Sequence, residues 1–308
     1  MKKLVMLLLA VMLLPAAGQA EKLTLMLDWF PNIDHLPIYV AQQEGYFKEK
    51  GLEVQIMSPS ETTDALKLAA SNNVDLAVSY QPQAIIGAAE GLDLKVVGRL
   101  VEQPLGVLMF LKSSPFKAPK DLNGKKIGYT VPGVEEVLIK AFAKINDVKD
   151  ITLVNVGFAV VPSLTSGKVD AIMGPYKNYE TIAMEDAGHP SSFFQLQDWG
   201  VPDYDELIFI AGSKAMSSKK AAVKAFVEAV NRGIETARSN PEKALEAFFK
   251  AVPEADKKME TRAFALTVPY YAQGQKLDLQ RWQKFAAFAK EYGLVEKTVS
   301  VEPLLHNW

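Results

Sequence analysis

The chain has 308 residues, 49% of them hydrophobic, with 34 basic and 36 acidic residues, a net charge of −2 and no cysteine. Its size supports one or two domains with real cores, and its acidic balance excludes the basic stripe that nucleic acid or an anionic membrane requires. The lack of cysteine excludes disulfides and thiol nucleophiles, and the three histidines (His35, His189, His306) are too scattered to suggest a metal site.

The chain opens with Lys2 and Lys3, runs apolar and uncharged from Leu4 to Leu14, and continues to small residues at Gly18 and Ala20. A basic start, a short apolar run and a small-x-small end form a secretory signal peptide. The run is well short of the roughly 20 residues that span a bilayer, which argues against an uncleaved anchor. A lipid anchor would need a cysteine. Cleavage after Ala20 and a periplasmic mature chain are therefore expected. Its charge is then 34 − 2 = 32 basic against 36 acidic, or −4.

Two stretches then repeat one order of elements. In the first, strands at Lys22–Leu27, Leu52–Met57 and Val74–Ser79 alternate with helices at Ile38–Phe47, Asp64–Ser71 and Pro82–Glu90. In the second, strands at Lys126–Thr130, Ile151–Val156 and Val169–Gly174 alternate with helices at Val134–Ile145, Pro162–Ser166 and Asn178–Ala187. Such alternation predicts parallel sheets flanked by helices, an α/β fold in two similar lobes. The expected division is 1–20 signal peptide, 21–105 first lobe, 106–205 second lobe, and 206–308 a return to the first lobe with C-terminal helices. Beyond Ser213 the pattern is helical: Val223, Phe226, Val227, Val230 and Ile234 follow amphipathic spacing, and Asn240-Pro241 opens a further helix.

Ligands of open parallel sheets sit beyond the carboxyl ends of the strands. This chain places Asp28-Trp29-Phe30-Pro31-Asn32-Ile33-Asp34-His35 and Tyr80 there in one lobe. In the other it places Tyr129-Thr130, Gly157-Phe158 and Tyr176 to Glu180. Facing aromatics can sandwich a flat ring, while the Asn and Glu can pair with its edge. Bland readings stand beside these: Trp29 can cap the core, the tyrosines can be ordinary half-buried ones, and Asp28 and Asn32 can build a turn. Glu180 can serve a helix dipole, and His35 can orient its loop. None of the five arginines (Arg99, Arg232, Arg238, Arg262, Arg281) falls in these loops, which favours a neutral or weakly cationic heteroaromatic over a sulfonate or phosphate. Ser58 to Thr63 can cap a helix or hold an anion, capping being the commoner role.

Leu27-Asp28-Trp29-Phe30-Pro31-Asn32, His35, Tyr39-Val40-Ala41 and Gly45-Tyr46-Phe47 resemble the opening signature of the thiamine-pyrimidine binding family. Val156-Gly157-Phe158, Ser166 to Ala171, Asn178-Tyr179-Glu180 and Gly200 to Leu207 continue the resemblance over nearly the whole mature chain. It implies a type-II periplasmic-binding-protein fold, with crossovers near Gln103–Val107 and Asp203–Ile208. It also implies a monomeric binding protein that hands a small heteroaromatic ligand to the membrane permease of an ABC importer. The implied ligand is a thiamine-related aminopyrimidine such as N-formyl-4-amino-5-aminomethyl-2-methylpyrimidine, with no cofactor. The ligand-binding set is Asp28, Trp29, Asn32, His35, Tyr80, Phe158, Tyr176 and Glu180. Within it, the resemblance makes Trp29 a stacking wall, Asn32 a hydrogen-bonding group, and Tyr176 and Glu180 contacts to the pyrimidine edge. Two positions depart from the family: Lys177 replaces Trp, and Pro37 replaces Gly. The fungal synthases of the same family use a lysine, a histidine and a cysteine-rich segment. Here Ser79, Gln83 and the cysteine-free Leu207–Ala211 stand in those places, which argues against synthase activity. Same-fold binding of riboflavin or an alkanesulfonate remains the alternative.

Overall fold

The computed structural model describes residues 20–308, so the expected signal peptide lies outside the described residues except for Ala20. Among the described residues there are ten strands: β1 (Glu21–Met26), β2 (Leu52–Met57), β3 (Leu76–Ser79), β4 (Leu94–Val101), β5 (Gly106–Leu111), β6 (Lys126–Tyr129), β7 (Thr152–Asn155), β8 (Ala171–Tyr176), β9 (Ser191–Gln195) and β10 (Leu207–Gly212). They form two five-stranded sheets, ordered β2-β1-β3-β10-β4 and β7-β6-β8-β5-β9. β1 lies parallel between β2 and β3, and β6 lies parallel between β7 and β8. The lobes are topological copies.

Each sheet also takes in one antiparallel strand, donated by the chain just after it crosses between lobes. β5 pairs with β8 and β9, and β10 pairs with β3 and β4. These strands sit inside their sheets with helices on both faces, so every residue of β10 and all but the last of β5 are buried. A strand covered on both sides has no polar alternation to show.

The expected helix over Ile38–Phe47 is instead two, Leu36–Gln43 and Tyr46–Glu49, broken where Gly45 takes φ 77°. A glycine in the left-handed region ends a helix at little steric cost. The other expected elements shift by a residue or two at their ends. In the helix Lys220–Ser239, all five residues of the expected stripe are buried. Phe226 stacks on Phe47 at 5.4 Å and meets Phe209 of β10 edge-on at 5.1 Å, so this helix covers the first sheet. Pro37 carries its carbonyl against Gly233 of the same helix, in space that a Cβ would fill. The Gly-to-Pro departure therefore falls in helix packing. Asn240 caps the next helix, Pro241–Ala251, by accepting from the Lys243 amide at 3.2 Å.

The second crossover is pinned from outside. Asp205 is fully buried, accepts from the Trp282 indole at 2.9 Å and from Arg99 Nη1 at 3.3 Å, and lies 3.4 Å from Arg281 Nη1. The next residue, Glu206, reaches the first crossover and accepts from the Leu105 and Gly106 amides at 2.5 and 2.8 Å. The two crossovers are thus tied together by one carboxylate.

Candidate ligand cleft

The carboxyl ends of β1, β3, β6 and β8 open onto a shared cleft of about 840 Å³ of empty space, its open mouth included. Its opposite walls are already in contact. Phe158 packs edge-on against Trp29 at 4.5 Å and lies 4.7 Å from Phe30. Thr62 donates to the Thr130 carbonyl at 2.8 Å, Asn178 donates to Asp34 Oδ1 at 2.7 Å, and Tyr179 donates to Glu260 Oε1 at 3.0 Å. The lobes are closed on each other.

Seven of the eight expected residues line this cleft: Asp28, Trp29, Asn32, His35, Tyr80, Tyr176 and Glu180. Phe158 is not among the lining residues and stands behind Trp29 instead. The remaining seven fall into two groups. Asp28 is buried and fully engaged, with Oδ1 on His35 Nε2 and Oδ2 accepting from the Tyr80 hydroxyl, both at 2.8 Å. Asn32 accepts from the Asp34 amide at 2.8 Å and donates to the Phe30 carbonyl at 3.2 Å, so it builds its turn and keeps one N–H over. Trp29, Tyr176 and Glu180 offer more open surface. Tyr176 donates to Glu206 Oε1 at 3.3 Å, and Glu180 accepts from the Tyr176 amide at 2.6 Å.

Lys177, the other departure from the family pattern, turns away from the cleft. Its ammonium lies 4.7 Å from the Tyr270 ring centroid and 2.9 Å from Gln195 Oε1. Ser58 to Thr63 behaves as a turn, with Ser60 and the Glu61 amide both bonded to Asp64 Oδ2 at 2.9 Å.

Three lining carboxylates stand outside the expected ligand-binding set: Asp34, whose loop was expected at the cleft, and Glu135 and Glu206, which were not. Glu135 opens the helix Glu135–Ile145 and turns back to accept from Thr130, through both its amide and its hydroxyl, and from the Val131 amide. Gly174, at φ 110°, leaves room for it; a Cβ there would overlap its Oε1. The signal was a Glu five residues beyond Thr130, where a helix starts. Burial away from water pushes Asp34, Glu135 and Glu180 each up to about 7, and raises Glu206 as well. Glu260, behind Asp34, is pushed to about 7 by the same cause.

Two lobes closing on a cleft at the strand ends define a substrate-binding protein of the type-II periplasmic class. The chain belongs to the NMT1/THI5-like family, whose model matches residues 32–244. It is 38% identical over 286 residues to a Haemophilus influenzae protein named for thiamine biosynthesis, covering 92% of this chain and 90% of that one. Over 238 residues it is 37% identical to the formylaminopyrimidine-binding protein of Halalkalibacterium halodurans, covering 77% and 72%. A Saccharomyces cerevisiae 4-amino-5-hydroxymethyl-2-methylpyrimidine phosphate synthase is 25% identical over 288 residues, covering 89% and 84%. Among solved structures, the alkanesulfonate-binding protein of Xanthomonas axonopodis superposes with a TM-score of 0.72 at 15% identity, covering 92% and 98%; that likeness is of fold.

Proposed function

We propose that this protein is the periplasmic binding component of an ABC importer and carries a thiamine-related aminopyrimidine, formylated or free, for salvage. The observation that carries this reading is the pairing of an indole wall, Trp29, with half-buried acceptors, Glu180 foremost, across one closed cleft. A 4-aminopyrimidine has a π-face to stack and an exocyclic amine to donate. Stacking of such a ring is worth about 1–3 kcal/mol by analogy with bases on aromatic platforms. The lobes would rotate about the two crossovers, close on the ring and present the closed form to the permease. Among the described residues no helix is long and apolar enough to cross a membrane.

A synthase reading is disfavoured by chemistry at the matching positions. Ser79 is fully buried and donates to Gln83 Oε1 at 2.6 Å, and neither residue lines the cleft. An amine nucleophile is missing from the first position and an imidazole from the second. Calorimetry with aminomethylpyrimidines, an alkanesulfonate and riboflavin tests the assignment. Binding of the pyrimidines alone is expected; tight binding of the sulfonate or the flavin in their place overturns it. Mass spectrometry of the ligand that co-purifies gives an independent check.

A further inference from the structure

Counting donors and acceptors around the cleft sharpens the ligand class. Backbone N–H groups at strand and helix ends are the usual anchors for anionic ligands. Here three such sets border the cleft, and each already holds a carboxylate of the chain. Thr130 and Val131 donate to Glu135, Tyr176 to Glu180, and Leu105 and Gly106 to Glu206. The hydroxyls follow suit: Tyr80 donates to Asp28, Tyr176 to Glu206 and Thr130 to Glu135. No lysine or arginine is among the lining residues. The cleft is rich in acceptors and poor in donors.

The acceptors left without a partner point the same way. Asp34 is 1% exposed and lines the cleft, and its Oδ2 has no hydrogen-bond partner. Beside it, Asn178 Oδ1 is buried and unpartnered too, its amide group being turned to Asp34 Oδ1 and Thr267. His35 gives Nε2 to Asp28, and its buried Nδ1 is likewise unpartnered. Whether that nitrogen accepts or donates follows from the tautomer. A buried acceptor without a donor is costly. Asp34 Oδ2, on a residue that lines the cleft, calls for a ligand whose polar end donates.

We propose that the cleft selects its ligand as a cation, so that a pyrimidine carrying a protonated primary amine binds in preference to its N-formyl derivative, and an anionic phosphate ester is refused. The proposal rests on the aminopyrimidine reading and narrows it. A primary ammonium brings three donors and a full positive charge to the carboxylates, and charge-assisted bonds are about twice as strong as neutral ones. Formylation removes the charge and adds a carbonyl, for which the lining residues have few free donors. Phosphorylation brings a dianion against Asp28, Asp34, Glu135, Glu180 and Glu206.

The test is calorimetry at neutral pH with three 4-amino-2-methylpyrimidines: the 5-aminomethyl compound, its N-formyl derivative and the 5-hydroxymethyl phosphate ester. The free amine should bind at least about tenfold more tightly than the formyl compound, and the phosphate ester should not bind. Asp34→Asn should bring the amine-to-formyl ratio towards one, with its thermal melt confirming that it folds. Should that variant not fold, the wild-type ratio alone still decides. A formyl compound that binds as tightly as the amine, or a bound phosphate ester, overturns the cation proposal and leaves the pyrimidine reading standing. If none of the three binds, the pyrimidine reading itself fails.

Discussion

Glu180 accepts from the Tyr176 amide, but a carboxylate has about four acceptor positions, so capacity remains for a ligand. Losing a charge-assisted bond inside a closed cleft costs roughly 1.5–3 kcal/mol, so Glu180→Gln should weaken pyrimidine binding by about 10- to 150-fold. Titration calorimetry checks this; an unchanged affinity would take Glu180 out of the site. Asn32 differs in kind, because its amide oxygen holds the Asp34 amide and so shapes the loop. The sequence left both of its roles open, and the structure shows the turn. Residues that lie in a distinctive loop, such as Trp29 and His35, could be placed at the cleft from the sequence. Asp34 lies in the same loop, whereas Glu135 and Glu206 could not be placed there. Their environment is set by contacts between distant segments, such as Glu206 reaching Leu105 across the crossovers.

The same logic separates the legible elements from the hidden ones. Strands and helices of the two βαβαβ runs announce themselves by alternation, and the observed bounds differ by one or two residues. β4, β5, β9 and β10 were not recognised as strands. β5 and β10 are buried on both faces and read as plain apolar runs, and their antiparallel insertion follows from the crossover, which no local pattern encodes. The segment after β8 has a role that local pattern also conceals. Asn178, 2% exposed, binds Asp34 and Thr267 across the cleft through one amide group, each at 2.7 Å. Asn178→Ala removes both bonds from the closed form and strands the Asp34 carboxyl. A cost of about 1–3 kcal/mol to closure is expected, seen as weaker ligand binding and as less compaction in small-angle scattering. Full compaction with unchanged affinity would show that the latch lies elsewhere.

At the scale of the whole molecule, the acidic cleft makes stability depend on pH in an uncommon direction. Most proteins lose stability in acid because paired carboxylates must be protonated. Here Asp34, Glu135, Glu180 and Glu260 are each raised to about 7 by burial, and Glu206 is raised as well. Between the ordinary carboxylate range near 4.5 and about 7, the folded chain holds protons that the unfolded chain has given up. Stability from these groups is therefore greatest at the acid end of that window and falls as pH rises through about 7. The carboxylates with lowered values, Asp121, Glu136, Asp147 and Glu228, act below the window, where they have yet to ionise in the unfolded chain. Burial raises Asp205 as well, so His306, lowered by burial, opposes the trend as one group against six. The ligand-free protein should thus melt higher at about pH 5.5 than at about pH 8, by at least the 2–4 °C that roughly 1 kcal/mol gives in a chain of this size. A ligand bound as a cation relieves the repulsion among the ionised carboxylates, so it should raise the melting temperature more at the higher pH. Scanning calorimetry at both pH values, with and without ligand, measures both effects. A ligand-free protein that melts higher at about pH 8 would mean that these carboxyls are ionised in the folded state without penalty, and that the cleft is better hydrated than its burial implies.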